Sequence, residues 1–363
     1  MPKFDLNKFI KDVFDPQPND AVAVMVDFPW GDIHDDDEWR ERRQMAKDWY
    51  DGFNELSNNV GFQLKPFITY KATGKHGKPL PENGEMDNSE INLVDELSKC
   101  TLVVSMNSFS ATAPLTWIAH KKRDFRAASM PNVTGDMEKF GLAADYTKVK
   151  KLCMKVYNAL LSSAGVHVEF SSGHKCYFDT RFRKPGLDNA ELTQKAYGIG
   201  DDQIQNLPSG ETYIVPNEGE NEPSKTSGEL PVYINNELII YKVSHNNIVE
   251  VEGAGVEAQT MRAYFSVKDA RCNIAELGFG CNDMARGDSG KVIEDEKAGF
   301  HWAYGISDHL GGVTGEDKFI NSNEATHEDI IYTKKYPITV SRVEVIYEDK
   351  EKIQLMKNGW YTF

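Results

Sequence analysis

Between Ala21 and Phe170 the chain alternates short apolar runs with stretches of helical period, and this alternation constrains its fold more than any other feature. Ala21 to Phe28 (AVAVMVDF) is a valine-rich strand. After it, Ala46, Trp49, Phe53 and Leu56 recur at spacings of 3, 4 and 3, which puts them on one face of a helix. Phe62–Tyr70, Thr101–Met106 and Val166–Phe170 read as further strands. Glu90–Lys99, Pro114–Lys122 and Tyr146–Ser163 read as helices, the last with Val149, Leu152, Val156 and Leu160 on one stripe. Strands that alternate with helices pair in parallel through crossovers, so the first half predicts an α/β domain with a parallel sheet.

The second half changes character. Turn signals become dense at Leu207-Pro208-Ser209-Gly210, Gly219 to Gly228, Gly253-Ala254-Gly255 and Gly311-Gly312. Between them lie short β-rich runs: Val232–Ile234, Leu238–Val243, Asn247–Val251 and Ile338–Tyr347. This pattern predicts a mainly β domain. The boundary falls near Pro185 to Asn189, giving domains 1–187 and 188–363, and Gly219 to Gly228 reads as a mobile loop.

A net charge of −15 repels phosphate backbones and anionic lipid, so neither nucleic acid nor a membrane surface is the expected partner. No apolar run approaches the ~20 residues that span a bilayer, and the charged N-terminus predicts no signal peptide. Cys100, Cys153, Cys176, Cys272 and Cys281 form no CxxC pair, and their odd number predicts reduced thiols and a cytoplasmic protein.

Several chemical classes lack their motif. There is no Walker A, no GxGxxG, no GxSxG, and His327-Glu328 does not continue to HExxH because position 331 is Ile331. The acidic string His34-Asp35-Asp36-Asp37-Glu38 precedes the Trp49 helix and reads as its N-terminal cap. What remains is a scattered set in the second half. Glu211 opens a β-like run. Glu276 sits within the apolar, Gly-rich Ile274–Gly280, where a buried carboxylate needs a cation or a basic partner such as Arg271. Glu296 and His301 are five residues apart. His327 and Asp329 are two apart, so in a strand they face the same side, as two ligands of one ion require.

These residues occur in motifs that resemble the aminopeptidase T family of metallopeptidases. Asn206 to Tyr213 (NLPSGETY) resembles its NLP-[ST]-x-E segment, and Ala275-Glu276-Leu277-Gly278 its second Glu motif. Glu296 to Gly305 resembles Glu-x4-His-[IW]-A-x-G, and Thr326–Asp329 the closing His-x-Asp. The four segments follow the family's order over roughly residues 200–335. The resemblance implies an aminopeptidase T-like fold, a homodimer, and two divalent ions, zinc or cobalt. It also implies a peptide or small amide substrate. Carried over by motif, Glu211, Glu276, Glu296, His301, His327 and Asp329 are the implied ligands, with Glu276 bridging. Where the family places a tyrosine, seven residues after the motif histidine, this chain has Asp308, and Tyr304 or another tyrosine is the candidate substitute.

The expected chemistry is hydrolysis by a metal-activated water, with proton transfer by a non-liganding carboxylate, Glu218 or Asp308. Two other readings stand beside it. Dihydroxypyridine dioxygenases resemble this family in fold and keep the His-x-Asp pair, but carry a His near the position of Glu276; they use one Fe(II) held by two histidines and a carboxylate. A non-catalytic member of the family is the third reading, supported by Asp308 at the tyrosine position.

Overall fold

The computed structural model describes residues 4–194 and 203–363. The chain divides into two compact units assembled from interleaved stretches: Met1–Lys151, Asp188–Gly210 and Asn282–Lys297 in the first, and Leu152–Leu187, Glu211–Cys281 and Ala298–Phe363 in the second. The sequence reading places a single boundary at 187/188, where one of these crossings lies. The interleaving escapes it because long-range strand pairing leaves no local mark in composition.

The first unit is built on a largely parallel sheet. Ala21–Phe28 lies between Ile68–Lys71 and Leu102–Asn107, and Arg126–Pro131 and Ile204–Asn206 follow in order beyond Leu102–Asn107. Ala21–Phe28 is buried on both faces, which is why its sequence is a continuous apolar run rather than an alternating one. Helix Asp37–Val60 buries Ala46, Trp49, Phe53 and Leu56, the stripe read from the sequence, and also Trp39 and Met45. At ~1.5–3 kcal/mol for each large apolar side chain withdrawn from water, this stripe fixes the helix to the sheet. Asp36 caps the helix by accepting from the Trp39 N–H, and Asp37 and Glu38 lie in its first turn, so the acidic string serves the helix as expected. On another face of the sheet Met25, Tyr70, Val103 and Ala127 pack with Leu115 and Ile118 of helix Thr112–Lys121. Residues 83–92 add an antiparallel hairpin at the sheet edge, Asn83–Met86 with Ser89–Asn92.

Asp27, near the end of the central strand, is 1% exposed and accepts from the Ser108 N–H at 3.0 Å. Burial outweighs these contacts and pushes its carboxyl up to about 6. A carboxyl whose folded value lies above its unfolded one costs stability as pH rises through the folded value. Asp27→Asn is therefore expected to gain about 2 kcal/mol relative to the parent chain between pH 4 and pH 8. Urea unfolding of both chains across that range checks it, and parallel curves refute it.

The second unit contains two packed sheets. One runs Asn247–Glu252, Glu237–Ser244, Ser227–Ile234, Lys175–Asp179, Gly165–Phe170, Val340–Ile346, Lys352–Lys357, Trp360–Tyr361, with antiparallel pairing throughout. The other places Glu211–Ile214, Ile274–Gly280, Phe300–Gly305 and His327–Tyr332 side by side, also antiparallel. Aromatic side chains fill the space between the sheets. The Phe170 ring lies 4.9 Å from Tyr332 and 6.2 Å from Phe300, and the Tyr241 ring lies 6.2 Å from Trp302. Two of the buried polar groups in this core pair in series: Trp302 Nε1 donates to Tyr332 Oη, which donates to Pro231 O. The Gly219–Gly228 loop, expected to be mobile, is anchored at its base. The buried Asp179 carboxylate accepts from Asn217, Lys225 N and Arg181. The five cysteines are buried, and none forms a disulfide.

Candidate metal centre

The second of these sheets has one aromatic face, and strand alternation determines what stands on the other. Phe300, Trp302 and Tyr304 point into the core, so His301, Ala303 and Gly305 point away from it. Register extends this face across the sheet. Gly278 is opposite His301, Glu276 opposite Ala303, Asp329 opposite Ala303, and His327 opposite Gly305. Glu211 is opposite Gly280. Five of the six ligands expected from the sequence thus share one face of one sheet, separated by glycine and alanine.

The small residues are a steric requirement. A Cβ on Gly278 would stand 1.9 Å from His301 Nε2, so the imidazole lies directly over this glycine. A Cβ on Gly305 would meet Thr326 O at 2.0 Å, and its φ of +107° is one that side chains rarely adopt.

The donors form two groups that share a residue. Glu211, Glu276 and His301 make one, and Glu276, His327 and Asp329 the other, with the candidate ligand atoms of each group within 4.8 Å of one another. His301 Nε2 lies 3.3 Å from Glu211 Oε2 and 3.5 Å from Glu276 Oε1. His327 Nε2 lies 3.1 Å from Glu276 Oε2 and 3.7 Å from Asp329 Oδ1. Glu276 therefore turns one oxygen toward each imidazole.

Both rings are held from behind by the main chain. His301 Nδ1 faces Gly299 O at 3.3 Å and His327 Nδ1 faces Ile306 O at 2.6 Å. A carbonyl only accepts, so each Nδ1 carries the proton, and in the neutral ring Nε2 offers its lone pair to the carboxylates. A lone pair turned toward anionic oxygens is stable only with a proton or a cation between them. His301 Nε2 and Asp329 Oδ1 are buried and make no hydrogen bond with the described residues. Burial alone would depress both imidazoles. The carboxylates outweigh it, Glu211 and Glu276 at His301 and Asp329 and Glu276 at His327, and hold both rings well above their ordinary value. Burial pushes the Glu276 carboxyl up, but the two histidines outweigh it and bring it below its ordinary range. Three carboxylates and two imidazoles of this kind fit divalent cations with mixed oxygen and nitrogen preference.

The other expected site residues lie elsewhere. Glu296 begins a short 3-10 turn, Glu296–Ala298, before the Phe300–Gly305 strand, so strand alternation does not place it with His301. It is in neither donor group, and its carboxylate meets Lys297 Nζ at 2.7 Å, where the buried ammonium also meets Asp188 at 2.9 Å. Tyr304 is three residues from His301 in a strand and so takes the opposite face; its ring packs against Phe265 at 5.2 Å. Burial raises its phenol far above the ordinary value. It cannot take the place of the family tyrosine on the donor face. Arg271 is engaged by Asp269 and Glu324 and leaves Glu276 to the histidines. Glu218 accepts from Asn273, Ser307 and Val313 N and pairs with Arg183. A carboxylate so fully engaged fastens the 307–313 loop rather than shuttling protons. Asp308 lies on that loop, in the turn Asp308–Leu310, where the neighbouring His309 holds its carboxyl below the usual range.

His309 was not singled out by the sequence reading. Its ring meets that of His327 edge-on, with centroids 5.0 Å apart. A histidine directly after the position at which the motif tyrosine is replaced is the signal that could have found it.

No protein-family model and no curated protein sequence matches this chain. Solved structures do. 2,5-dihydroxypyridine dioxygenase from Pseudomonas putida KT2440 superposes with a TM-score of 0.66 at 15% identity, covering 100% of this chain and 98% of that one. AmpT (aminopeptidase T) from Thermus thermophilus superposes with a TM-score of 0.56 at 12% identity, covering 99% of each chain. The chain shares its two-domain fold with both. At such identities the likeness is one of fold, and the choice of chemistry passes to the donor set.

Proposed function

We propose that this protein is a metal-dependent hydrolase, an aminopeptidase that removes N-terminal residues from peptides or small amides. Glu211, Glu276 and His301 would hold one divalent cation, and Glu276, His327 and Asp329 a second. Bound there, such ions supply an activated water and a Lewis acid for the scissile carbonyl. The protein's own part is to fix the donors. Main-chain carbonyls set both imidazole tautomers, and one carboxylate serves both groups.

The observation that carries this reading is the composition of the two groups: each pairs one imidazole with two carboxylates. A mononuclear Fe(II) dioxygenase site needs two imidazoles and one carboxylate at one ion. His301 and His327 are instead divided between the groups, each facing its own oxygen of Glu276.

The expected result is about two zinc or cobalt ions per chain by elemental analysis, with metal-dependent release of 4-nitroaniline from aminoacyl-4-nitroanilides that chelation abolishes. One tightly held iron with oxygen uptake on a dihydroxylated ring would transfer the chain to the dioxygenase reading. Full metal loading with no cleavage of any N-terminal amide would leave a binding protein.

A further inference from the structure

The donor groups differ in how they meet solvent. The His301 side chain is 1% exposed, that of His327 18%, and that of His309, whose ring touches His327, 42%. The cage therefore opens on the His327 side, and His309 stands at that opening. Its turn is rigidly held. Ser307 Oγ and Val313 N both donate to Glu218, Ser307 N donates to Thr314 O, and Arg183 Nη1 donates to Gly311 O. Arg183 is paired with Glu218 and Glu220, so its charge is already compensated. Asp308 stands beside His309, with Oδ1 3.8 Å from Nδ1. A neutral imidazole keeps one ring nitrogen as an acceptor, and the carboxylate places a second acceptor beside it.

We propose that Asp308 and His309 form an amine anchor, a pair of acceptors that binds the free amino group of the substrate beside the scissile carbonyl. This rests on the aminopeptidase reading and assigns recognition of the unblocked α-amine to these two residues rather than to a metal ion. An α-amine lies one carbon from the carbonyl, so a substrate whose carbonyl meets the ion at His327 brings its amine within reach of the ring that touches His327. The carboxylate adds charge complementarity to an ammonium, and the clasp of Glu218 removes the cost of ordering the turn on binding.

The test is binding by calorimetry to the zinc-loaded protein, with L-leucinamide compared against 4-methylpentanamide, which lacks the amine. The parent chain is expected to prefer leucinamide about tenfold or more. Asp308→Asn and His309→Ala are expected to bring that ratio toward one without changing the number of bound zinc ions, and His309→Gln, which keeps an acceptor, to restore part of it. No preference in the parent chain overturns the anchor. A preference that survives both substitutions also overturns it and assigns the amine to a metal ion. Equal weakening of both ligands reduces the pair to a structural role. A clear preference without turnover of any amide leaves the anchor standing and removes only the hydrolase reading.

Discussion

Glu276→Ala is expected to empty both donor groups at once. Zinc content should fall from about two ions per chain to below one, and amide hydrolysis should drop by about a thousandfold or more. The reason is that Glu276 alone belongs to both groups, with one oxygen toward His301 and the other toward His327. Removing Glu211 or Asp329 should weaken one group and spare the other. Glu276→Gln keeps the shape and one acceptor but loses the charge that offsets a dication, so it should resemble alanine in metal content while the fold, followed by circular dichroism, persists. Two ions retained at parental affinity in Glu276→Ala would falsify the shared-carboxylate arrangement.

Gly278→Ala is expected to be nearly as damaging although it removes no functional group. The added methyl would stand 1.9 Å from His301 Nε2, so the ring has to leave its place over the strand. His301 is fully buried in a packed sheet, and overpacking there costs about 1–3 kcal/mol. The prediction is selective: zinc content should fall toward one ion, because the atoms nearest the added methyl all belong to His301, which is not a member of the Glu276, His327 and Asp329 group. Elemental analysis with a thermal melt separates the outcomes. A folded Gly278→Ala chain with both ions in place would show that the imidazole has another position from which to bind.

Much of this was legible in the sequence, for identifiable reasons. The valine-rich run Ala21–Phe28 and the Trp49 stripe report local periodicity, and local periodicity survives in a single chain. His327 and Asp329 are two apart, so strand alternation alone puts them on one side. Glu211, Glu276 and His301 were reached through motif resemblance, and register brings them together. The misplaced residues share a cause. Glu296 and Tyr304 flank His301 in the same motif, but motif membership says nothing about which way a side chain points. A 3-10 turn removes Glu296 from the strand, and an odd offset sends Tyr304 into the aromatic core. Glu218 was offered as a base because nothing in the sequence reveals that Asn273, Ser307 and Val313 converge on it. His309 was missed because its partner, His327, is 18 residues further along and in another element.

The chain passes between its two units at Lys151/Leu152, Leu187/Asp188, Gly210/Glu211, Cys281/Asn282 and Lys297/Ala298. Glu211 is the first residue after one such passage, and His301 follows closely on another. No single cut of the polypeptide can therefore release either unit whole. A fragment ending at residue 187 would carry a severed share of both cores, and so would its complement. Neither unit can be traded between proteins by joining one continuous segment to another.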